Sequence, residues 1–288
     1  MSSHPLTVAV VAFLVVLTAC TGASDDGGSA SPSSPATSPA PSAPEEAGRT
    51  TDPVDPAQQP SQGDCYRFTF EDLARASNDH EPVQCRRRHN AQTIHVGRLR
   101  TVVDAQSVPG DSTAVLEQVS TTCPRKLRSY LGGDRSTRRL SRFTVLWFTP
   151  TVAQVEAGAE WFRCDVIAFA GHEHLATLPP PRRLNGVLDD ADNLDTFGLC
   201  GTAAPGAPGF DRVICSGQHS WRTTSTIRID GGSKFPGVAA VRNAGDETCK
   251  DRVRELAGSS LRFRYGWEWP TRDQWRRGQH YGFCWAPD

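Results

Sequence analysis

Trp147-Phe148-Thr149-Pro150-Thr151-Val152-Ala153-Gln154 is written a second time as Trp267-Glu268-Trp269-Pro270-Thr271-Arg272-Asp273-Gln274. In both places a Gly follows the Pro by eight residues (Gly158, Gly278) and a Cys by fourteen (Cys164, Cys284). Gapless agreement at Trp, Pro, Thr, Gln, Gly and Cys marks a duplication. The repeated segment has a physical reading. Thr-x-x-Gln is a capping box: Thr151 or Thr271 caps a helix and Gln154 or Gln274 reaches back to the cap. Pro150 and Pro270 precede the caps, and Val155 and Trp275 stand where a hydrophobic staple would close on them. Gly158 and Gly278 suit a left-handed stop. Each copy thus ends in a short helix, a turn and a strand, the first strand reading Ala159 to Phe169. Before the box, Arg142 to Phe148 is rich in β-formers.

The agreement continues outward. Cys85-Arg86-Arg87-Arg88-His89 corresponds to Cys215-Ser216-Gly217-Gln218-His219, with Thr93 and Thr223 four residues past each His. Thr122-Cys123 corresponds to Thr248-Cys249, followed by Leu127 and Val253, then Gly132 and Gly258. Leu116, Val119, Cys123, Leu127 and Tyr130 or Leu131 recur at helical spacing. Thr93 to Leu99 and Thr223 to Ile229 alternate like strands. The expected fold class is α+β: two tandem small disulfide-stapled domains, residues 63–170 and 198–288. Each would hold a mixed or antiparallel sheet with one longer and one short helix. Residues 171–197, with Pro179-Pro180-Pro181 and an acidic patch, read as the linker.

Each copy carries four cysteines: Cys65, Cys85, Cys123 and Cys164, then Cys200, Cys215, Cys249 and Cys284. Pairing within a copy leaves three connectivities each. The favoured set is Cys65–Cys85, Cys123–Cys164, Cys200–Cys215 and Cys249–Cys284, because the third cysteine sits on a helix that the strand of the fourth should cover.

The ninth cysteine stands apart. Leu6 to Leu17 is an apolar run of signal-peptide length, too short to span a bilayer. It ends in Leu17-Thr18-Ala19-Cys20, which resembles the bacterial lipobox. Residues 1–19 are therefore expected to be a lipoprotein signal peptide and Cys20 the lipidated N-terminus, its acyl chains sufficient for stable anchoring. Residues 20–62 are dominated by Pro, Ser, Ala and Gly and are expected to form a disordered tether. Within a chain of net charge −1, residues 21–62 hold six acids and one base, leaving 63–288 mildly basic at +4. That is too little to argue for nucleic acid.

Cys-x-x-x-His is a possible zinc half-site. The alternative, favoured by export and an even cysteine count, is a bridged cysteine followed by His89 or His219 fixing a turn. A Cys–His nucleophile is disfavoured for the same reason, since a bridged sulfur is no thiolate. His172-Glu173-His174 reads as solvated linker more readily than as a metal pair. The clustered tryptophans read as core before they read as a binding groove. No hydrolase, zincin or P-loop motif is present. No metal, cofactor or catalytic residue is assigned, and the reading leans away from an enzyme.

Gly63-Asp64-Cys65, Val83-Gln84-Cys85 with His89, Thr122-Cys123 and the Pro-Thr-x-x-Gln-x-x-x-Gly ending at Cys164 resemble the septum-formation domain of actinobacterial envelope proteins. The second copy departs at its start, Gly198-Leu199-Cys200. The resemblance covers about 64–169 and 198–286, and it implies an extracytoplasmic domain linked to cell division with no established active site. The expectation is a lipid-anchored binding or scaffold protein on the extracytoplasmic face of the cell membrane, with an envelope protein or wall component as partner. A wall-hydrolase-like enzyme and a sensor or ligand-delivery lipoprotein are the alternatives.

Overall fold

The computed structural model describes residues 59–100, 102–103, 106–107, 112–258 and 262–288. The expected signal peptide, Cys20 and all but the last four residues of the tether lie outside these. Among the described residues, no helix is long and apolar enough to cross a membrane.

The first half runs from β1 (Cys65–Tyr66) through a 3-10 turn (Glu71–Ala74) to β2 (Ala91–Arg98). A small hairpin, β3 (Val102–Val103) and β4 (Gln106–Ser107), leads into α1 (Thr113–Leu131). Then come α2 (Arg135–Leu140), β5 (Phe143–Phe148), α3 (Val152–Glu156) and β6 (Trp161–Ala168). Two short helices follow, α4 (Pro181–Leu184) and α5 (Leu194–Phe197). The second half holds β7 (Leu199–Gly201), β8 (Arg212–Ile214), β9 (Trp221–Arg228), α6 (Val238–Asn243), α7 (Asp246–Leu256), β10 (Gly266–Glu268), α8 (Arg272–Arg276) and β11 (Tyr281–Pro287).

The two main sheets are antiparallel and read β1-β2-β6-β5 and β8-β7-β9-β11-β10. They match strand for strand, with β8 as the addition. Even β8 has a trace in the first half: Cys65 bridges Val83 as Cys200 pairs Val213. The irregularity between the two central strands also recurs. Thr93 faces Asp165 and His95 faces Cys164, skipping one residue of β2. Thr223 faces Trp285 and Ser225 faces Cys284, skipping the equivalent residue of β9. On the other side of the same strands, Trp147 faces Cys164 and Trp267 faces Cys284.

Four disulfides staple this frame: Cys65–Cys85, Cys123–Cys164, Cys200–Cys215 and Cys249–Cys284. The second and fourth tie α1 to β6 and α7 to β11. Helix α1 turns Val115, Val119 and Cys123 to the sheet at four-residue spacing, all fully buried. Leu116, expected on that face, is 45 % exposed, because Val115 takes the core position. Both capping boxes form. Gln154 N donates to Thr151 Oγ1 at 3.3 Å while Thr151 N donates to Gln154 Oε1 at 2.9 Å. The second pair measures 3.2 and 2.7 Å. The staple differs between copies. Trp275 is buried and its indole N–H donates to Gly232 O at 3.1 Å, whereas Val155 is 54 % exposed.

The segment read as a linker is folded onto the first half. Ala176 N donates to Ala168 O, Leu178 N to His89 O and Leu188 N to Leu131 O. Its Leu178, Leu184, Val187, Leu188 and Phe197 join the core beneath α1, together with Ile214 from the second half. The halves are also joined directly and belong to one unit, Thr51–Asp288. Ser141 bridges Gly198, Arg142 N donates to Phe197 O at 2.8 Å, and Ile214 N donates to Ala170 O at 2.9 Å. The Arg142 guanidinium caps the carbonyls of Phe169, Gly171 and Arg212. Burial, with Arg212 adding to it, holds Arg142 down to about 10. Leu140 of α2 buries against Leu199, Trp221, Phe283 and Trp285 of the second sheet. Apolar side chains of each half thus complete the other's core.

Leu140→Ala should lower stability by about 2–5 kcal/mol, the range for emptying a buried leucine site. Urea unfolding followed by tryptophan fluorescence measures it, and a loss below 1 kcal/mol would contradict this docking.

Candidate functional site

Strand β6 has two faces. Phe162, Cys164, Val166 and Ala168 turn toward α1. Trp161, Arg163, Asp165 and Ile167 alternate with them and turn away, as the period of a strand requires. Arg163 and Asp165 are thus neighbours on one face, 3.1 Å apart, and almost wholly buried. Thr93 Oγ1 donates to Asp165 Oδ1 at 2.7 Å. Arg163 donates to Asn78 Oδ1 at 3.1 Å and lies 4.0 Å over the Tyr66 ring and 5.0 Å from that of Phe148. Burying two charges is unfavourable, and the Thr93, Asn78 and ring contacts offset it. Burial pushes the Asp165 carboxyl up, against the opposing pulls of Arg163 and Thr93.

Above this pair opens a cleft of about 400 Å³. Tyr66, Trp161 and Arg163 form its floor, and Gln154 of the first capping box reaches its wall. Burial pushes the Tyr66 phenol up to about 12, so it stays protonated and donates to Asp64 Oδ2 at 3.5 Å. The Trp161 indole N–H and the Asn78 Nδ2 are buried with no hydrogen-bond partner among the described residues. Asp64, Asp79 and Glu81 line the rim beside His80. Because Asp165 neutralises Arg163, the rim acids set the sign of the cleft. The arrangement suits recognition of a cationic group by ion pairs and hydrogen bonds.

The second copy shows what the same face accepts. Tyr281, Phe283 and Trp285 occupy the positions of Trp161, Arg163 and Asp165 relative to the fourth cysteine. There α2 of the first half covers the face. The Arg139 guanidinium lies 3.7 Å over the Tyr281 ring, and Leu140 packs beside Phe283 and Trp285. In place of the buried ion pair, Glu268 accepts from Trp285 Nε1 at 3.1 Å and from Arg212 at 2.6 Å.

The residues singled out in the sequence have structural places. His89 Nδ1 lies 2.9 Å from Arg87 O, and His219 Nδ1 lies 2.8 Å from Gly217 O, so each ring closes the turn after its bridged cysteine. His219 Nε2 also meets Asp288 Oδ2 at 2.7 Å. Pro150 and Pro270 are buried beside the boxes. His172-Glu173-His174 forms an exposed turn. Among the described residues, no group of three or more His, Cys, Asp or Glu is placed to hold a metal. Trp161, Trp221, Trp267, Trp275 and Trp285 are buried, and of these Trp161 reaches the cleft. The sequence reading missed the Arg163–Asp165 pair. Its signal was available: two opposite charges flanking Cys164 in an otherwise apolar strand, where the second copy has Phe283 and Trp285.

A family model described as "Septum formation" matches residues 62–284 as one span. No curated protein and no solved structure matches the chain.

Arg163→Met should destabilise the protein by about 3–5 kcal/mol by stranding Asp165 without its partner. Arg163→Met/Asp165→Leu should recover most of that loss. Equal losses in single and double variants, measured by urea unfolding, would contradict this account of the pair.

Proposed function

The chain belongs to the septum-formation family, and from that premise we propose that it is a lipid-anchored scaffold of the cell envelope. In this reading Cys20 holds it to the extracytoplasmic face of the membrane, and the first-half cleft receives a cationic segment of a partner protein. The family's description ties the chain to septum formation and so to cell division. Four disulfides support an oxidising compartment, where such bonds form and persist.

The observation that carries the binding role is the difference between the two equivalent faces. In the second half the face is filled by an Arg-Leu pair from α2, while in the first half it lies open under an acidic rim. The second-half contact shows this strand face receiving an arginine over an aromatic ring, and Trp161 stands at the matching position in the open cleft. The rim acids also favour a cationic partner by steering the encounter, an effect that salt weakens.

Two measurements test the reading. Cys20→Ser should move the protein from the membrane fraction of its host to the soluble fraction and abolish acyl labelling; retention in the membrane would contradict the anchor. A peptide carrying Arg-Ser-Thr-Arg-Arg-Leu, the α2 sequence, should bind the intact protein and lose about tenfold in affinity with Asp79→Asn/Glu81→Gln, as expected for removing about 1.4 kcal/mol. Unchanged binding would sink the cleft assignment. Turnover of peptidoglycan by the purified protein would favour the wall-hydrolase alternative over a scaffold.

A further inference from the structure

A second concavity, of about 610 Å³, lies where the halves meet, away from the acidic cleft. Arg128 from α1 and Arg135, Arg138 and Arg139 from α2 line it, and Phe143 and Tyr281 contribute apolar walls from the two halves. No Asp or Glu lines it. None of the four arginines is ion-paired with a carboxylate among the described residues. Two of them have structural roles besides. Arg138 donates to the carbonyls of Gly132 and Gly133 at the end of α1, and Arg139 stacks on Tyr281. Arg128 and Arg135 are exposed.

Several surface arginines sit against an acid, as Arg98 does with Glu160, Arg254 with Asp251 and Arg276 with Asp273. Here four guanidinium groups share one groove whose lining holds no carboxylate, although Arg138 also feels Asp134 at the cap of α2. Burial holds Arg139 below its usual value, with Tyr281 pulling against it and the neighbouring Arg135 and Arg228 adding to it. An anion would relieve that crowding. A carboxylate is planar and is satisfied by one guanidinium fork. A tetrahedral phosphate ester presents oxygens in several directions and can take forks from both helices at once. The apolar walls would accommodate the carbon skeleton of such an ester.

We propose that the groove between α1, α2 and the start of β11 binds a phosphate ester, with Arg128, Arg135, Arg138 and Arg139 as its anion-binding groups. The site is composite, because Tyr281 comes from the second half while the arginines come from the first. It therefore exists only in the docked arrangement. Two sources share this chemistry, a soluble phosphate ester of the envelope and the headgroup of an anionic phospholipid.

The test uses the full mature chain carrying Cys20→Ser, so that the anchor does not itself hold the protein to lipid. One arm titrates it with poly(glycerol phosphate) by calorimetry. The other measures co-flotation with phosphatidylglycerol vesicles against phosphatidylcholine vesicles. Saturable binding is expected in at least one arm: the first would assign a soluble ester, the second alone a lipid headgroup. Arg128→Gln/Arg135→Gln should weaken that binding at least tenfold. Arg87→Gln/Arg277→Gln removes the same charge from exposed positions outside the groove and should weaken it less than threefold. Absence of binding in both arms, or equal losses in the two double variants, would overturn the proposal. Circular dichroism of each variant separates loss of binding from loss of fold.

Discussion

In each half a disulfide ties the longest packed helix to an interior strand of the sheet, Cys123 to Cys164 and Cys249 to Cys284. The fourth cysteine is held on three sides. A tryptophan faces it from one neighbouring strand, the skipped residue lies beside it on the other, and the helix covers it. With that register fixed, the residues immediately before and after the cysteine must point away from the helix, since a one-residue slip would turn every side chain over. The character of the outer face is therefore set by those flanking positions. Arg163 and Asp165 occupy them in one half, Phe283 and Trp285 in the other.

From that divergence the rest of the molecule follows. An apolar outer face needs a cover, and α2 of the first half supplies Leu140 and Arg139 to it. A face built on a buried ion pair already has Tyr66, Phe68 and Phe148 against it, and what remains is a polar cleft. The duplicated fold has thus been used in two ways, one copy as a docking platform inside the molecule and one with its platform open. Docking in turn creates the arginine-lined groove, which neither half has alone.

Much of the frame was legible in the sequence because its signals are local. Thr-x-x-Gln forms its capping bonds within four residues, Gly158 and Gly278 take the positive φ that a left-handed stop requires, and the third cysteines sit at core spacing on their helices. The parts that were not legible depend on distant partners. Leu184, Val187, Leu188 and Phe197 are ordinary apolar residues scattered through an acidic, Pro-containing stretch. Only the exposed underside of α1 makes them core. Helix α2 is strongly basic, and its packing rests on a tyrosine and two aromatic neighbours more than a hundred residues away. Val155 and Leu116 erred in the opposite direction: their spacing was right, but no neighbour covers them.

The central claim is that each half is closed by its own helix-to-strand bridge, which fixes the register that distinguishes the two faces. Non-reducing peptide mapping by mass spectrometry, on protein purified without reductant, tests it most directly. The account predicts four linked peptide pairs, Cys65 with Cys85, Cys123 with Cys164, Cys200 with Cys215, and Cys249 with Cys284, and no free thiol among the eight. A peptide joining a cysteine of one half to a cysteine of the other, or free thiols at Cys85 and Cys215, would contradict it.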